Sequence, residues 1–134
     1  MGGRFVDTNV LLYLASGDSQ KADQAEAVLA EGGTISVQVL NEITNVLRRK
    51  IRISWSDTHV FLDMIRVLLT VEPVTIATHE KGLAVSERYG LSVYDAMIVA
   101  SALIAGCDTL LSEDMQDGLV IDDRLRIVNP FGQA

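Results

Sequence analysis

The chain has 134 residues, 49% of them hydrophobic, with two prolines and a formal charge of −7 at pH 7. That length and apolar content suit one globular domain, residues 1–134, with a single buried core. No apolar run approaches the ~18 uninterrupted residues of a membrane span, and no secretory signal pattern opens the chain. The lone cysteine, Cys107, cannot form an intramolecular disulfide and reads as core filling at the end of an apolar helix, so a cytoplasmic protein is expected.

The acidic balance would ordinarily count against a nucleic-acid partner. Two features qualify that. Arg48, Arg49, Lys50 and Arg52 place four of the eleven basic residues within five positions. A group of carboxylates that holds divalent cations also changes its local sign once they bind.

In chain order, Phe5-Val6 reads as the end of a buried strand, cut short by the polar triplet Asp7-Thr8-Asn9. Val10 to Leu14 then resumes as a helix, with Asp7 or Thr8 as its cap. Asp18 or Ser19 caps a helix from Gln20 to about Ala30, and Thr34 to Val37 forms a short strand. Val39, Leu40, Ile43, Val46 and Leu47 recur at helical spacing, predicting a helix from about Gln38 to Lys50, with Glu42 in its first turns and its basic tail suited to the helix dipole. Ser54 caps a further helix with Val60, Phe61, Met64, Ile65, Leu68 and Leu69 on one side. Val71 to Ala77, interrupted by Pro73, reads as a strand near a sheet edge. Thr78 is expected to cap a helix ending at Tyr89, before Gly90. Leu91 to Asp95 leads into a nearly all-apolar helix, Ala96 to Ala105, buried on most sides. Thr109-Leu110-Leu111 is a second buried strand that stops on Ser112-Glu113-Asp114. Leu119 to Ile121 and Leu125 to Val128 complete the strands. Strands alternating with helices indicate an α/β fold with a mainly parallel sheet and helices on both faces.

Four places carry candidate chemistry: Asp7, Glu42, Asp95 and the pair Asp114 and Asp117. Asp7 and Asp114 follow strands whose carboxyl ends would lie side by side, where open α/β sheets bind ligands. Asp95 precedes the most apolar helix, and no Arg or Lys stands near it in sequence to compensate a buried charge. Oxygen donors in this number suit Mg²⁺ or Mn²⁺. Zinc is disfavoured, because the two histidines, His59 and His79, are scattered. No glycine-rich phosphate loop occurs. What remains is metal-assisted phosphoryl chemistry. Four of these five acids also have a plain structural explanation: Asp7 as a cap, Glu42 as a solvated helix residue, Asp114 and Asp117 as turn formers. Thr8, Asn9 and Ser112 would cap helices or hold the carboxylates.

The segments FVDTNVLLY (5–13), VLNEITNVLRRK (39–50), LSVYDAMIVASAL (91–103), TLLSEDMQDG (109–118) and IVNPF (127–131) together resemble the PIN-domain family, in particular the VapC toxins of bacterial VapBC toxin–antitoxin pairs. The resemblance implies a three-layer α/β/α sandwich and Mg²⁺- or Mn²⁺-dependent endoribonuclease activity on a structured RNA. It also implies a homodimer and inhibition by a cognate VapB-like antitoxin. Carried over by position, Asp7, Glu42, Asp95 and Asp114 form the acidic quartet, with Asp117 auxiliary. Asp7, Asp95 and Asp114 would hold the metal and Glu42 would complete the site. A metal-activated water would attack the phosphodiester, leaving a 5′-phosphate and a 3′-hydroxyl. Arg48, Arg49, Lys50 and Arg52 would contact RNA backbone or an acidic antitoxin segment, or simply be a solvated helix end. Ser112 stands where many members have Thr, and Gly118 where Phe is frequent, which leaves the relative weight of Asp114 and Asp117 open. The alternatives are a non-catalytic PIN-fold RNA-binding or protein-interaction module, a haloacid-dehalogenase-like phosphatase, and a flap-type DNA nuclease. The phosphatase lacks its second Asp because Asn9 occupies that place, and the flap nuclease needs helical segments for which this chain has little room.

Overall fold

The computed structural model describes residues 2–132. Its elements in order are β1 (Arg4–Val6), α1 (Thr8–Leu12), a single 3₁₀ turn (Tyr13–Ala15), α2 (Ser19–Glu31), β2 (Thr34–Ser36) and α3 (Val37–Val46). A wider π turn (Leu47–Ile51) prolongs α3, followed by α4 (Trp55–Leu68), β3 (Thr70–Glu72), α5 (Ile76–Tyr89) and α6 (Val93–Ile104). The chain then forms β4 (Thr109–Leu111), β5 (Val120–Ile121) and β6 (Leu125–Val128).

The strands form one six-stranded sheet in the order β3-β2-β1-β4-β6-β5, parallel except for β5. From β1 the chain steps outward through β2 to β3, then returns to the other side of β1 as β4. Right-handed crossovers place helices made on the outward path on one face and those made on the return on the other. Accordingly α2, α3 and α4 pack together, and α5 packs along α6. The result is the expected α/β/α layering. Phe5, Val6, Ile35, Leu110 and Ile127 of the strands are fully buried against Val10, Leu11, Ile43, Leu47, Ile65 and Val99 of the helices.

Several boundaries differ from the sequence expectation. Thr78 does not cap α5. Thr75 is the N-cap, and its hydroxyl and that of Thr78 exchange hydrogen bonds with each other's backbone amides in a capping box. The expected 71–77 strand is only Thr70–Glu72, because Pro73 ends it, though it does lie at the sheet edge. The helix carrying Asp95 starts at Val93, capped by Ser92, so Asp95 sits inside its first turn rather than before it. The helix expected over 38–50 is α-helical to Val46 and then widens into the π turn.

Candidate active site

β1 and β4 lie side by side in parallel, with Val6 opposite Leu111. The next residue on each strand, Asp7 and Ser112, therefore emerges at the point where the sheet order reverses, the crevice in which such sheets bind ligands. The backbone ties the two ends together, since the Asp7 amide donates to the Leu111 carbonyl at 2.9 Å.

Asp7 is the N-cap of α1 and is buried. Its Oδ1 accepts from the Thr8 amide at 2.7 Å, and its Oδ2 accepts from the Ser112 hydroxyl at 2.9 Å and from Asn9 Nδ2 at 3.3 Å. Burial dominates its titration and pushes the carboxyl up to about 6; the Ser112 and Thr8 hydrogen bonds pull the other way, and the Glu42 and Asp95 charges add to the rise. Asn9 also accepts the Glu113 amide at 3.0 Å, which docks the turn after β4 onto α1. The Thr8 hydroxyl donates to Glu42 Oε1 at 2.6 Å, and Gln38 Nε2 donates to Glu42 Oε2 at 3.0 Å and to the Tyr94 carbonyl at 3.1 Å. Glu42 is thus held from both sides, by α1 and by its own helix.

Asp95 is half-buried in the first turn of α6. Its carboxyl is raised first by burial, opposed by the Ser92 hydroxyl and reinforced by the Asp114 and Glu42 charges. Asp114 is exposed at the tip of the turn after β4. Its neighbour Glu113 is clamped by Tyr13 Oη and Lys21 Nζ, each donating at 2.6 Å.

Asp7, Glu42, Asp95 and Asp114 line one open cleft of about 320 Å³, with Thr8, Asn9 and Asn45 among the other lining residues. No Lys, Arg or His lines it among the described residues. Asp117 stands apart: its Oδ1 accepts from the Asn129 amide at 2.9 Å and it does not line the cleft. Arg48, Arg49 and Arg52 line a separate concavity beyond the C-terminal end of α3. Sequence reasoning overlooked Gln38, Asn45 and Ser92. Gln38 lies one turn before Glu42 on the same helix face, and Ser92 opens the S-x-x-D pattern of a capped helix, so both left a local trace. The Lys21–Glu113 contact spans 92 positions and left none.

Four oxygen-donor side chains around one cleft, with no cation among its lining residues, match in kind what a hard divalent ion requires. Among the described residues no three His, Cys, Asp or Glu side chains close into a cage by themselves.

The PIN domain family model matches residues 4–116. This chain belongs to the PIN domain family. No curated protein matches it significantly. Among solved structures, this PIN domain is similar to a toxin–antitoxin complex from Klebsiella pneumoniae, with a TM-score of 0.72 and 22% identity over 96% of this chain and 98% of that one. It is also similar to the sarcin-ricin loop cleaving toxin VapC20 of Mycobacterium tuberculosis, with a TM-score of 0.66 and 22% identity over 83% and 91% of the two chains. A third relative is VapBC2 of Rickettsia felis bound to a promoter DNA fragment, at a TM-score of 0.65 and 19% identity over 92% and 96%. At these identities the likeness concerns the fold. No helix among the described residues is long and apolar enough to cross a membrane.

Proposed function

We propose that this PIN domain is a Mg²⁺- or Mn²⁺-dependent endoribonuclease, a VapC-type toxin that cleaves a structured RNA and is neutralised by a cognate antitoxin. The observation that carries the reading is the convergence of Asp7, Glu42, Asp95 and Asp114 on one cleft whose lining holds no cation. Such a cleft repels a phosphodiester until its charge is offset. Asp7, Asp95 and Asp114 would hold the ion, and Glu42 would complete the site. When bound, the ion supplies a water acidified toward neutral pH and charge stabilisation at the phosphate.

The chain's own part is positioning. Three donors fix the Asp7 carboxylate, so it does not rotate away from the cleft. Thr8 and Gln38 hold Glu42 across the cleft, and Asn9 docks the turn that carries Asp114. Membership of the PIN family and the likeness to toxin–antitoxin proteins from Klebsiella and Rickettsia and to a toxin from Mycobacterium support the toxin reading and the antitoxin partner; a homodimer is part of the same proposal.

The test is cleavage of total RNA by the purified protein with Mg²⁺, Mn²⁺ or EDTA, beside Asp95→Asn. Discrete products that need the ion and vanish in the variant are expected. Folded, antitoxin-free protein that leaves RNA intact under every condition would overturn the nuclease reading and favour a binding module.

A further inference from the structure

Gln38, Glu42 and Asn45, at spacings of four and three, share one face of α3. Glu42 and Asn45 line the acid cleft, while Arg49, in the π turn that prolongs α3, lines a second, open concavity of about 440 Å³ with Arg48 and Arg52. The π turn delivers this cluster, and Arg52 ends it in the left-handed region at φ 64°. Elsewhere among the described residues, Arg4, Lys21, Lys81 and Arg88 pair with carboxylates, while Arg66, Arg124 and Arg126 do not. Among the described residues Arg48, Arg49, Lys50 and Arg52 pair with none, in a chain of net charge −7. Arg48 is held in place by donating to the Ile53 carbonyl, and its guanidinium lies 4.4 Å from the centre of the Trp55 ring. That indole is 54% exposed at the start of α4.

Unpaired guanidinium groups beside an exposed aromatic ring suit single-stranded nucleic acid, which offers phosphates to the first and base faces to the second. We propose that Arg49 and Arg52 bind phosphates of a single-stranded RNA segment while Trp55, backed by Arg48, stacks one of its bases. The segment is continuous with the strand in the acid cleft, so this inference rests on the ribonuclease reading. An acidic protein segment would satisfy the arginines but would leave the exposed indole without a use.

Trp55 is the chain's one tryptophan, so its fluorescence reports on the subsite directly. The full chain carrying Asp7→Asn, to prevent cleavage, is titrated with a mixed-sequence single-stranded RNA oligonucleotide. Saturable quenching is expected. With a labelled oligonucleotide read by anisotropy, Trp55→Ala weakens binding about tenfold and Trp55→Phe recovers part of it. Arg49→Ala with Arg52→Ala lowers the slope of log affinity against log salt by about 0.7 for each lost phosphate. RNA binding without quenching, with affinity unchanged in the Trp55 and arginine variants, overturns the subsite. So does quenching by poly-glutamate but not by RNA. Cleavage by the unsubstituted protein is measured in parallel: quenching without cleavage keeps the subsite and sinks the nuclease, whereas cleavage without quenching does the reverse.

Discussion

Asp7 has one observed job and one proposed job, and the two conflict. As N-cap it is drawn into the core at the end of β1, and as the proposed metal ligand it would have to carry charge there. Burial raises its carboxyl from 3.8 to about 6, so the metal-free fold binds this proton more tightly than the unfolded chain does. Stability linked to Asp7 is therefore fully present below about pH 4 and is lost as pH rises through about 6. A shift of that size corresponds to at most about 3 kcal/mol. Asp7→Asn can keep its bond from the Thr8 amide while removing the charge. In EDTA at pH 8 it should be more stable than the parent by about 1–2 kcal/mol, with the advantage shrinking toward pH 4. The same variant should lose ion-dependent cleavage. Denaturant titrations across that pH range check the first expectation, and equal stability with equal pH slopes would contradict it.

At the scale of elements, apolar runs that stop on polar residues made β1 and β4 readable, period made α3 and α4 readable, and a Thr cap with the Gly90 stop marked α5. Starts were harder. Thr75 and Thr78 both sit where a cap could be, and their bonds are reciprocal, so residue type alone does not say which comes first. Val93 and Tyr94 read as part of a segment leading into the helix, and the Ser92 cap that makes them helical depends on backbone shape. The α5–α6 contact was not legible at all. A Cβ placed on Gly82 would collide with the Sδ and Cε end of Met97, so the close packing of α5 on α6 there uses the missing side chain. Gly82→Val should cost about 1–3 kcal/mol of stability, because a branched side chain must displace a packed one. A thermal melt reads this, and an unchanged midpoint would show that the two helices give way freely.

For the whole molecule, the consequential choice is the side of β1 on which β4 is added. Pairing β4 to the free edge of β1 puts Asp7 and Ser112 in contact across 105 positions, and the return path brings α6 and Asp95 to the same end of the sheet. The proposed homodimer belongs to this scale too. Val60, Met64 and Val67 lie along one exposed face of α4, at 67%, 39% and 82% exposure. Light scattering on the purified protein should give twice the 14.6 kDa of one chain, and a single-chain mass would contradict it.

Local chemistry in the sequence determined the element types, the burial of Phe5, Val6, Leu110 and Cys107, and the placing of Asp7 and Ser112 at strand ends, because period and polarity act over a few neighbouring residues. Only the tertiary structure decided which acids share a cleft. It brought Asp114 in and left Asp117 bound to the Asn129 amide, and it set Lys21 on Glu113. The reason is physical: convergence of distant side chains depends on sheet order, crossover hand and turn geometry, and no short window of sequence carries those.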